Sequence, residues 1–308
     1  MKLAPHGLPE HYRGETFFAR SGLPLHVIHD QSQNAVPMHD HDFCELVLVL
    51  SGRGLHHTDT GEYAVAAGDV FLIRPAEKHG YTQVESFQII NLLFDPAGLG
   101  LPGEDLRECA GYQALFSLEP SLRQRHGVRN HLRLPLRDLA VARDLCLRIH
   151  GELSGKKAAY RSLVVAHFTA LVVLLSRIYP GGHRGDPEAL LRLAAALARL
   201  EGRWQEKIRL SELAAEARMT QSSFQRAFQR AMDCSPIDYL IRYRVGKAAE
   251  LLARGELPVT QIAYRCGFDD GNYFSRKFRA VMGMTPRDYR QTHRSAAANL
   301  PGKPEVPG

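Results

Sequence analysis

VTQIAYRCGFDDGNYFSRKFRAVMGMTPRDYR, residues 259–290, repeats the pattern of LSELAAEARMTQSSFQRAFQRAMDCSPIDYL, residues 210–240. The first halves of the two segments match at an offset of 49 residues and the second halves at 50, so one residue is inserted between them. The clearest matched pairs are Ala214 with Ala263, Phe224 with Phe274, Phe228 with Phe278, Pro236 with Pro286, and Tyr239 with Tyr289. A solenoid needs about three repeats to bury a continuous core. Each copy is therefore predicted to be a compact helical unit.

Each unit is predicted to contain two helices joined by a tight turn. A hydroxyl residue, Ser211 or Thr260, is placed to cap the first helix, whose matched alanine lets a second helix approach closely. The turn of the second copy contains Gly267, which can adopt a positive φ. The second helix of each unit directs two phenylalanines to the core and leaves its intervening positions polar. This layout is typical of a helix-turn-helix, whose second helix enters the major groove of DNA.

Polar side chains occupy the outward positions of both second helices. Glutamine and asparagine can pair with adenine and arginine with guanine, and each good bidentate contact contributes about 1–3 kcal/mol of discrimination. An exposed helix face is the simpler explanation for any single side chain, but two matched faces favour DNA binding. The candidate DNA-binding residues are Ser222, Gln225, Arg226, Asp270, Asn272, Ser275 and Arg276.

The basic charge of the chain is concentrated in this repeated region. The whole chain has a formal net charge of +6. Residues 201–292 contain 16 lysines and arginines against 11 aspartates and glutamates, a net charge of +5. Charge alone fits a solvated surface as well as a polyanion-binding surface. Together with the repeat, it favours double-stranded DNA as the partner.

Residues 201–291 resemble the DNA-binding domain of the AraC/XylS family of bacterial transcription regulators. The stretches IAYRCGF, YFSRKF and GMTPRDYR stand where that family has its signature. The resemblance implies two helix-turn-helix units joined by a long helix, here about Ile237 to Ala253, with both second helices in successive major-groove segments about 34 Å apart. It also implies contact with RNA polymerase. The first unit departs from the pattern, because Asp233 stands where the second has Gly283.

The N-terminal region has the sequence pattern of an all-β domain. Short apolar stretches such as FFAR, LHVIHD, CELVLVL and ESFQIINLLFD follow one another between residues 16 and 95, separated by Gly, Pro, Asn or Asp. Closely spaced strands with no intervening helices predict a small antiparallel barrel or jelly roll. The predicted fold class is therefore α+β, with a cupin-like antiparallel β-barrel and helical hairpin followed by an all-α domain of two helix-turn-helix units.

Three histidines and a glutamate form the candidate ligand site of the barrel. MHDHDFCELVLVLSG, residues 38–52, contains His39, His41 and Glu45, and His79 follows in a later strand. Alternate residues of a strand point to the same face, so His39 and His41 are expected to project together. Three imidazoles and one carboxylate suit iron, manganese, nickel or zinc. The alternative is that they line a pocket for an organic effector or are histidines satisfied within the barrel.

Residues 39–52 resemble the first cupin motif, although Gln33 stands where that motif has its leading glycine. Gly68 and His79 match a second motif that is otherwise degenerate. HDHDFCELVLV, GRGLHH and RPAEKHGY also resemble the sensor domain of rhamnose-responsive AraC/XylS members. This implies a small effector, with sugars as candidates, inside the barrel. The only cofactor that the residues suggest is a divalent metal.

Two other functions compete with an effector-responsive regulator. One is a cupin metalloenzyme, such as a dioxygenase or a sugar isomerase, with a nucleic-acid-binding appendage. The other is a metal or redox sensor that uses Cys44, which lies next to Glu45. Neighbouring residues of a strand face opposite sides, so Cys44 is expected to pack rather than to ligate. We therefore expect a non-enzymatic regulator with paired DNA sites whose occupancy depends on the effector.

Two predicted helices and a linker separate the barrel from the repeats. An apolar stripe from Leu139 to Leu153 predicts an amphipathic helix, and residues 160–179 predict a helix that is apolar on nearly every side. We expect the first helix to offer its stripe to a second subunit of a homodimer and the second to be buried, unless both simply cover the barrel. The domain boundaries are then 1–134 for the barrel, 135–185 for the hairpin, 186–294 for the DNA-binding domain and 295–308 for a disordered tail. Asp186 is expected to cap the first helix of the DNA-binding domain.

The sequence predicts a cytoplasmic protein with no membrane partner. The N-terminus has no apolar signal core, and the most apolar run, residues 163–176, is shorter than a bilayer span. The five cysteines are odd in number and contain no CxxC pair, which argues against a disulfide framework or a structural zinc site.

Overall fold

The structure is a computed structural model, and it describes residues 10–30, 34–101, 103–126, 131–181, 187–255 and 257–298. The chain forms two compact units, Met1–Ala198 and Arg199–Gly308. Helix α7 (Pro187–Gly202) runs across the boundary between them. The predicted DNA-binding domain began at residue 186, so the first part of this helix belongs to the first unit instead.

The first unit is built on an eight-stranded sheet. Its order is β1-β3-β7-β4-β6-β8, with β2 also paired to β7 and β5 to β4. All pairs are antiparallel except β1 with β3. The strands are β1 (His11–Tyr12), β2 (Leu25–Asp30), β3 (Val36–His41), β4 (Cys44–Thr58), β5 (Gly61–Ala66), β6 (Asp69–Ile73), β7 (His79–Phe94) and β8 (Leu132–Arg133). The predicted cupin-like β-domain is confirmed.

The two faces of strand β4 divide the packing of the first unit. Val47 and Val49 point inward with Phe71, Ile89 and their neighbours to form the core of the barrel. The intervening residues point outward, where Phe94 of β7 packs edge-on against Phe168 with ring centroids 4.9 Å apart. Because Glu45 has the same parity as Val47, its carboxylate lies inside the barrel.

Several helices of the first unit were not expected from the sequence. FFAR, predicted as a strand, lies in helix α1 (Gly14–Ser21), where Phe17 and Phe18 pack against Phe43. Residues 104–126 form helices α2 (Glu104–Arg107) and α3 (Ala110–Tyr112), a π-helical segment (Gln113–Leu118) and helix α4 (Glu119–His126). The strand prediction failed because apolar residues in a short segment suit a helix as well as a strand.

Helices α5 (Leu136–Gly155) and α6 (Tyr160–Ile178) form the predicted hairpin and pack against each other. The burial of the two helices supports the alternative in which both cover the barrel. The stripe of α5, which contains Ala142, Cys146 and Ile149, is fully buried within the chain. Helix α6 buries one face but leaves Leu163 44% exposed on another. An apolar helix can pack on two sides, and its composition does not reveal which side the same chain covers.

The second unit contains the two predicted helix-turn-helix pairs. The helices are α8 (Leu210–Glu216), α9 (Gln221–Met232), α10 (Pro236–Arg254), α11 (Val259–Arg265), α12 (Gly271–Met282) and α13 (Pro286–Ala298). Helix α10 closely matches the long connecting helix expected from Ile237 to Ala253. The four matched phenylalanines are all fully buried, and Ala214 and Ala263 are 2% and 1% exposed.

The capping residues of the repeat differ from the prediction. Ser211 and Thr260 lie inside the first turns of α8 and α11, and neither helix has a side-chain cap. The second helix of each pair is capped instead: Thr220 accepts a hydrogen bond from the Ser223 amide. Ser211 and Thr260 lie two residues after the N-cap positions, which are occupied by Arg209 and Pro258. A sequence pattern does not distinguish a cap from a first-turn position.

Three further predictions concern the ends and the linker of the chain. Helix α13 continues to Ala298, so residues 295–298 of the predicted disordered tail are helical. The rest of that tail, the linker with its Asp186 cap, and Gln33 lie outside the described residues. Among the described residues, one helix, Tyr160–Gly181, is long and apolar enough to cross a membrane, with 39% of its most apolar window buried. A core helix of a water-soluble protein passes the same test, so this is weak evidence for a membrane span.

Candidate functional site

The four predicted ligand residues come together inside the barrel. His39 and His41 lie on β3, Glu45 near the start of β4, and His79 at the start of β7 directly opposite His39. The ring centroids of His39 and His79 are 4.2 Å apart, and those of His41 and His79 are 5.2 Å apart. The Glu45 carboxylate lies 3.2 Å from His41 Nε2 and 3.5 Å from His79 Nε2. His41, Glu45 and His79 are buried, and His39 is half-buried. We call these four residues the His/Glu cluster.

Backbone carbonyls fix the orientation of all three imidazole rings. His39 Nδ1 lies 3.0 Å from the Pro37 carbonyl, His41 Nδ1 2.7 Å from that of Phe43, and His79 Nδ1 3.1 Å from that of Glu77. A carbonyl oxygen can only accept a hydrogen bond, so each Nδ1 must carry the proton. In the neutral rings the lone pairs are therefore on Nε2. The buried Nε2 atoms of His41 and His79 have no hydrogen-bond partner.

The charges of the cluster support one another. Burial pushes the pKa of Glu45 upward, but its interactions with the adjacent His41 and His79 rings outweigh burial and leave this pKa well below its ordinary value. Burial lowers the pKa of His79, but Glu45 reverses this effect and leaves the pKa raised. The pKa of His39 is lowered, mainly by burial and then by the neighbouring His79. The cluster thus presents an ionised carboxylate among imidazoles.

This donor set fits a divalent transition metal. One ligand atom from each of His39, Glu45 and His79 lies within 4.8 Å of the others. Histidines that bind metals generally donate their second ring N–H to a carbonyl or carboxylate, which is the arrangement of all three rings. Imidazole nitrogen with a carboxylate oxygen suits zinc, iron, manganese or nickel. His41 Nε2, next to the same carboxylate, could complete the set.

Sequence reasoning missed a second group of polar residues deeper in the barrel. His56 is fully buried, and its Nδ1 lies 2.6 Å from the Tyr63 hydroxyl. Its ring also lies 4.9 Å from that of Tyr81 and 5.9 Å from that of His79. His56 Nε2 and the Tyr81 hydroxyl have no hydrogen-bond partner among the described residues. Strict alternation from Glu45 and Val47 would have placed His56 on the opposite face of β4, and the register shifts between Val49 and Leu55 turn it inward instead.

Cys44 lies on the other side of the sheet, as predicted. It lines an apolar cavity between the sheet and the helices, together with Phe94, Phe168 and Val172. Burial raises the pKa of the Cys44 thiol to about 11. A protonated thiol is a poor nucleophile and a poor metal ligand. These observations argue against a redox or metal role for Cys44.

Most of the predicted DNA-binding residues lie on exposed faces of α9 and α12. The exposed residues are Ser222, Gln225, Arg226, Asp270, Asn272 and Arg276. Asp270 caps α12, because its side chain accepts a hydrogen bond from the Tyr273 amide at 2.5 Å. The half-buried Ser275 donates its hydroxyl to the Gly271 carbonyl at 2.8 Å. The last two side chains are therefore already engaged within their own helix.

The turns before α9 and α12 contain different residues in the two units. Gly267 has a φ of +76°. Its carbonyl accepts a hydrogen bond from Arg244 Nη1 at 2.7 Å. At the matched position of the first unit, Arg218 adopts a φ of +52° despite its side chain. The two units thus have the same backbone turn with different residues.

Comparisons with known proteins match both units of the chain. Residues 213–292 match the family described as "Helix-turn-helix domain", and residues 25–172 match "AraC-like ligand binding domain". Among solved structures, the DNA-binding domain of AdpA in complex with a target DNA is 30% identical, with a TM-score of 0.34, covering 35% of this chain and 98% of that one.

Two relatives align with most of the chain. The HTH-type transcriptional activator RhaR of Enterobacter sp. (strain 638) is 30% identical over 94% of this chain and 100% of its own length. The protein of the same name from Yersinia pseudotuberculosis serotype O:1b (strain IP 31758) is 30% identical over 87% of this chain and 89% of its own length. A non-enzymatic role fits this similarity to transcriptional regulators. The chain belongs to the AraC family of DNA-binding transcriptional regulators and combines a helix-turn-helix unit with an AraC-like ligand-binding domain.

Proposed function

We propose that this protein is a non-catalytic, cytoplasmic transcriptional activator that reads promoter DNA with both α9 and α12. The observation that supports this most strongly is the duplicated unit, in which two capped helices expose polar faces over buried phenylalanines. The relatives are named transcriptional activators, which favours activation through RNA polymerase. A basic net charge in this unit favours association with phosphates.

The proposed base-reading residues are the exposed Gln225, Arg226, Asn272 and Arg276, with Ser222 next to the phosphates. Arg276 is exposed in the first half of α12, the half that contacts base edges in helix-turn-helix proteins. Asp270 and Ser275 are proposed to influence DNA binding through the geometry and charge of this helix end. Their polar atoms already hold backbone groups.

Changing Arg276→Ala tests base reading. We expect binding to an operator selected by the wild-type protein to weaken by about 1–3 kcal/mol, while binding to random DNA changes far less. Fluorescence anisotropy at a fixed salt concentration measures both affinities. Arg137→Ala removes the same charge from an exposed position of α5 and should change neither. Equal losses on operator and random DNA would show that Arg276 contacts only the backbone.

We propose that the protein is a homodimer that uses the exposed side of α6. Leu163, Ala166, Ala170 and Val173 follow a 3,4,3 spacing on this helix. The first three are exposed, and Val173 is half-buried. Small and apolar residues at this spacing form the seam of helix pairs in coiled coils. We call these four residues the α6 seam.

The barrel is proposed to bind a small polyhydroxylated effector next to the His/Glu cluster. Imidazole nitrogens, the Glu45 carboxylate, His56 and the Tyr81 hydroxyl supply several donors and acceptors within an otherwise apolar interior. A few polar groups in an apolar cavity are typical of small-molecule sites. The similarity to RhaR activators makes L-rhamnose the first sugar to test.

A divalent metal ion is the second candidate for the occupant of this site. The fixed Nδ1–H tautomers, which aim three Nε2 atoms at the region of Glu45, favour it. When bound, the ion would supply a Lewis-acidic centre on which hydroxyl groups of an effector could bind.

Changing His79→Ala tests both candidates. We expect the purified wild-type chain to contain about one equivalent of divalent metal, and the variant to bind the same metal at least ~10-fold more weakly, because a ligand is lost. Elemental analysis and calorimetric titration with zinc and with L-rhamnose, before and after chelation, measure this. His57→Ala, which removes a neighbouring histidine outside the cluster, is the control. Sugar binding that survives chelation would assign the histidines to the sugar and not to a metal.

A further inference from the structure

A second buried polar network lies behind the His/Glu cluster, and neither DNA reading nor effector binding accounts for it. It consists of Glu77, Arg123, Glu119 and Tyr179, which are between 1% and 3% exposed. Buried charged groups are rare unless they are paired, and retaining them requires a specific arrangement of partners. We call these four residues the α4 network, because Glu119 and Arg123 lie one turn apart on that helix.

One end of the α4 network is attached to the effector pocket. Arg123 Nε donates to Glu77 Oε1 at 3.2 Å, and Arg123 Nη2 donates to the Leu72 carbonyl. The backbone carbonyl of the same Glu77 accepts the hydrogen bond from His79 Nδ1 that orients this ring in the cluster. A change in the position of His79 therefore acts on a residue held directly by α4.

The other end of the network is attached to the end of the helical hairpin. The Tyr179 hydroxyl donates to Glu119 Oε2 at 3.0 Å. Tyr179 follows α6 immediately and begins a short 3₁₀ turn that ends at Gly181. The chain then continues to α7, which crosses into the second unit. Helix α4 thus has one side-chain attachment at the pocket and one at the segment that leads to the DNA-binding unit.

The segment around α4 is also attached to the barrel through its backbone. Thr60 in the β4–β5 turn donates to the Arg123 carbonyl at 2.8 Å. Arg74 Nη2 donates to the Ser117 carbonyl at the end of the π-helical segment that continues into α4. The hydrogen bond from the Tyr179 hydroxyl to Glu119 joins two side chains instead. Removing that hydroxyl therefore leaves both backbone attachments in place.

We infer that α4 transmits the occupancy of the effector pocket to the C-terminal end of α6 through Glu77–Arg123 at one end and Glu119–Tyr179 at the other. This inference rests on the proposed function, because it assigns the regulation of the same pocket. A ligand that moves His79 changes the position of Glu77 and hence of α4, and Tyr179 carries the change to the segment before α7. Coupling of this kind is reciprocal, so a change at Tyr179 must also alter the pocket.

Hydrogen exchange of the full-length chain tests the coupling without any ligand. We expect Tyr179→Phe, which removes only the hydroxyl, to increase exchange in the peptide spanning residues 77–82 while β2 is unchanged. Tyr160→Phe is the matched control at the other end of α6, where the hydroxyl donates to the Ser21 carbonyl at 3.2 Å. Unchanged exchange at residues 77–82, or an equal increase in both variants, overturns the inference.

Two further measurements keep the inference testable. If Tyr179→Phe does not fold, Arg123→Lys replaces it, because this change weakens the contact of Arg123 with Glu77. Hydrogen exchange at residues 174–181 should then increase. No increase there overturns the inference. If the wild-type chain binds L-rhamnose, Tyr179→Phe should alter this affinity and reduce the sugar-induced change in operator affinity by about 5-fold or more, within the usual range of allosteric coupling. An undiminished response overturns the inference. If the wild-type chain does not bind L-rhamnose, the proposed sugar is wrong. The hydrogen-exchange experiments then still show whether α4 couples the pocket to the end of α6.

Discussion

Matched positions of the two helix-turn-helix units adopt the same backbone conformation with different residue types. Gly267 and Arg218 both adopt positive φ at the same turn, and Gly283 and Asp233 do so at the same helix end. The sequence indicated the position of these turns from the alignment of the two copies. It did not indicate that an arginine would adopt the left-handed conformation, because its intrinsic preference opposes it. The rest of the unit imposes the conformation.

Arg218→Gly should therefore stabilise the second unit. A non-glycine residue in the left-handed region loses roughly 1–2 kcal/mol, part of which is offset by the greater freedom of glycine in the unfolded chain. We expect a net gain of about 0.5–1 kcal/mol. The urea midpoint followed by fluorescence of Trp204, the only tryptophan, which packs against the core of this unit, measures it.

Arg218→Ala is the control for this change. It removes the same exposed side chain but keeps the Cβ atom, so it should give no gain in the free energy of unfolding. An equal gain for alanine would show that the arginine side chain, and not the backbone, is unfavourable.

Single residues also limited what could be predicted for the pocket. His39 and His41 were expected to project together because a strand period of two places alternate residues on one face. Glu45 and His79 were identified from the resemblance to the two cupin motifs. The three carbonyls that orient the rings could not be identified, because a backbone acceptor carries no residue type. His56 was missed because the register shifts of β4 between Val49 and Leu55 reverse the alternation of its faces, and the sequence does not reveal them.

Helices and strands were more predictable where a repeat or a period extended over many residues. Helices α8 to α13 followed from two aligned copies, and β4 and β7 from long apolar runs. Residues 104–126 were not assigned, because their short helices and π-helical turn have neither a clear period nor caps with side-chain hydrogen bonds. Their positions are fixed by tertiary contacts such as that of Arg74 with Ser117.

Substitutions of Asp270 can distinguish its role as the cap of α12 from the effect of its negative charge on DNA binding. Asp270→Asn keeps a side-chain acceptor for the Tyr273 amide but removes a negative charge from the end of α12 that is proposed to face DNA. We expect tighter binding to operator and random DNA alike, with unchanged stability. Asp270→Ala should lose the cap and lower the free energy of unfolding by about 1 kcal/mol. Anisotropy titrations and urea unfolding measure the two effects.

The contrary outcome for Asp270 is also informative. If Asp270→Asn weakens binding to the operator and leaves random DNA unaffected, the carboxylate reads a base, since an aspartate can accept from the cytosine amino group.

At the scale of the whole molecule, the proposed homodimer depends on the α6 seam. Leu163→Glu places a charge in this seam and should shift a micromolar solution from dimer to monomer in sedimentation velocity, because a buried unpaired charge is strongly unfavourable. Val141→Glu on α5 is the matched control, since Val141 is 45% exposed and Leu163 44%. If the dimer persists in Leu163→Glu but dissociates in Val141→Glu, the interface lies on α5 and not on α6.

If the α6 seam forms the proposed dimer, helix α6 relates DNA occupancy to the amount of protein in the cell. When single copies predominate, the concentration of pairs increases with the square of the concentration of single copies. Two linked DNA-binding units also bind neighbouring half-sites far more tightly than one unit binds either. A promoter read by such pairs would respond steeply to a modest rise in synthesis of the regulator, even at a constant level of the small molecule.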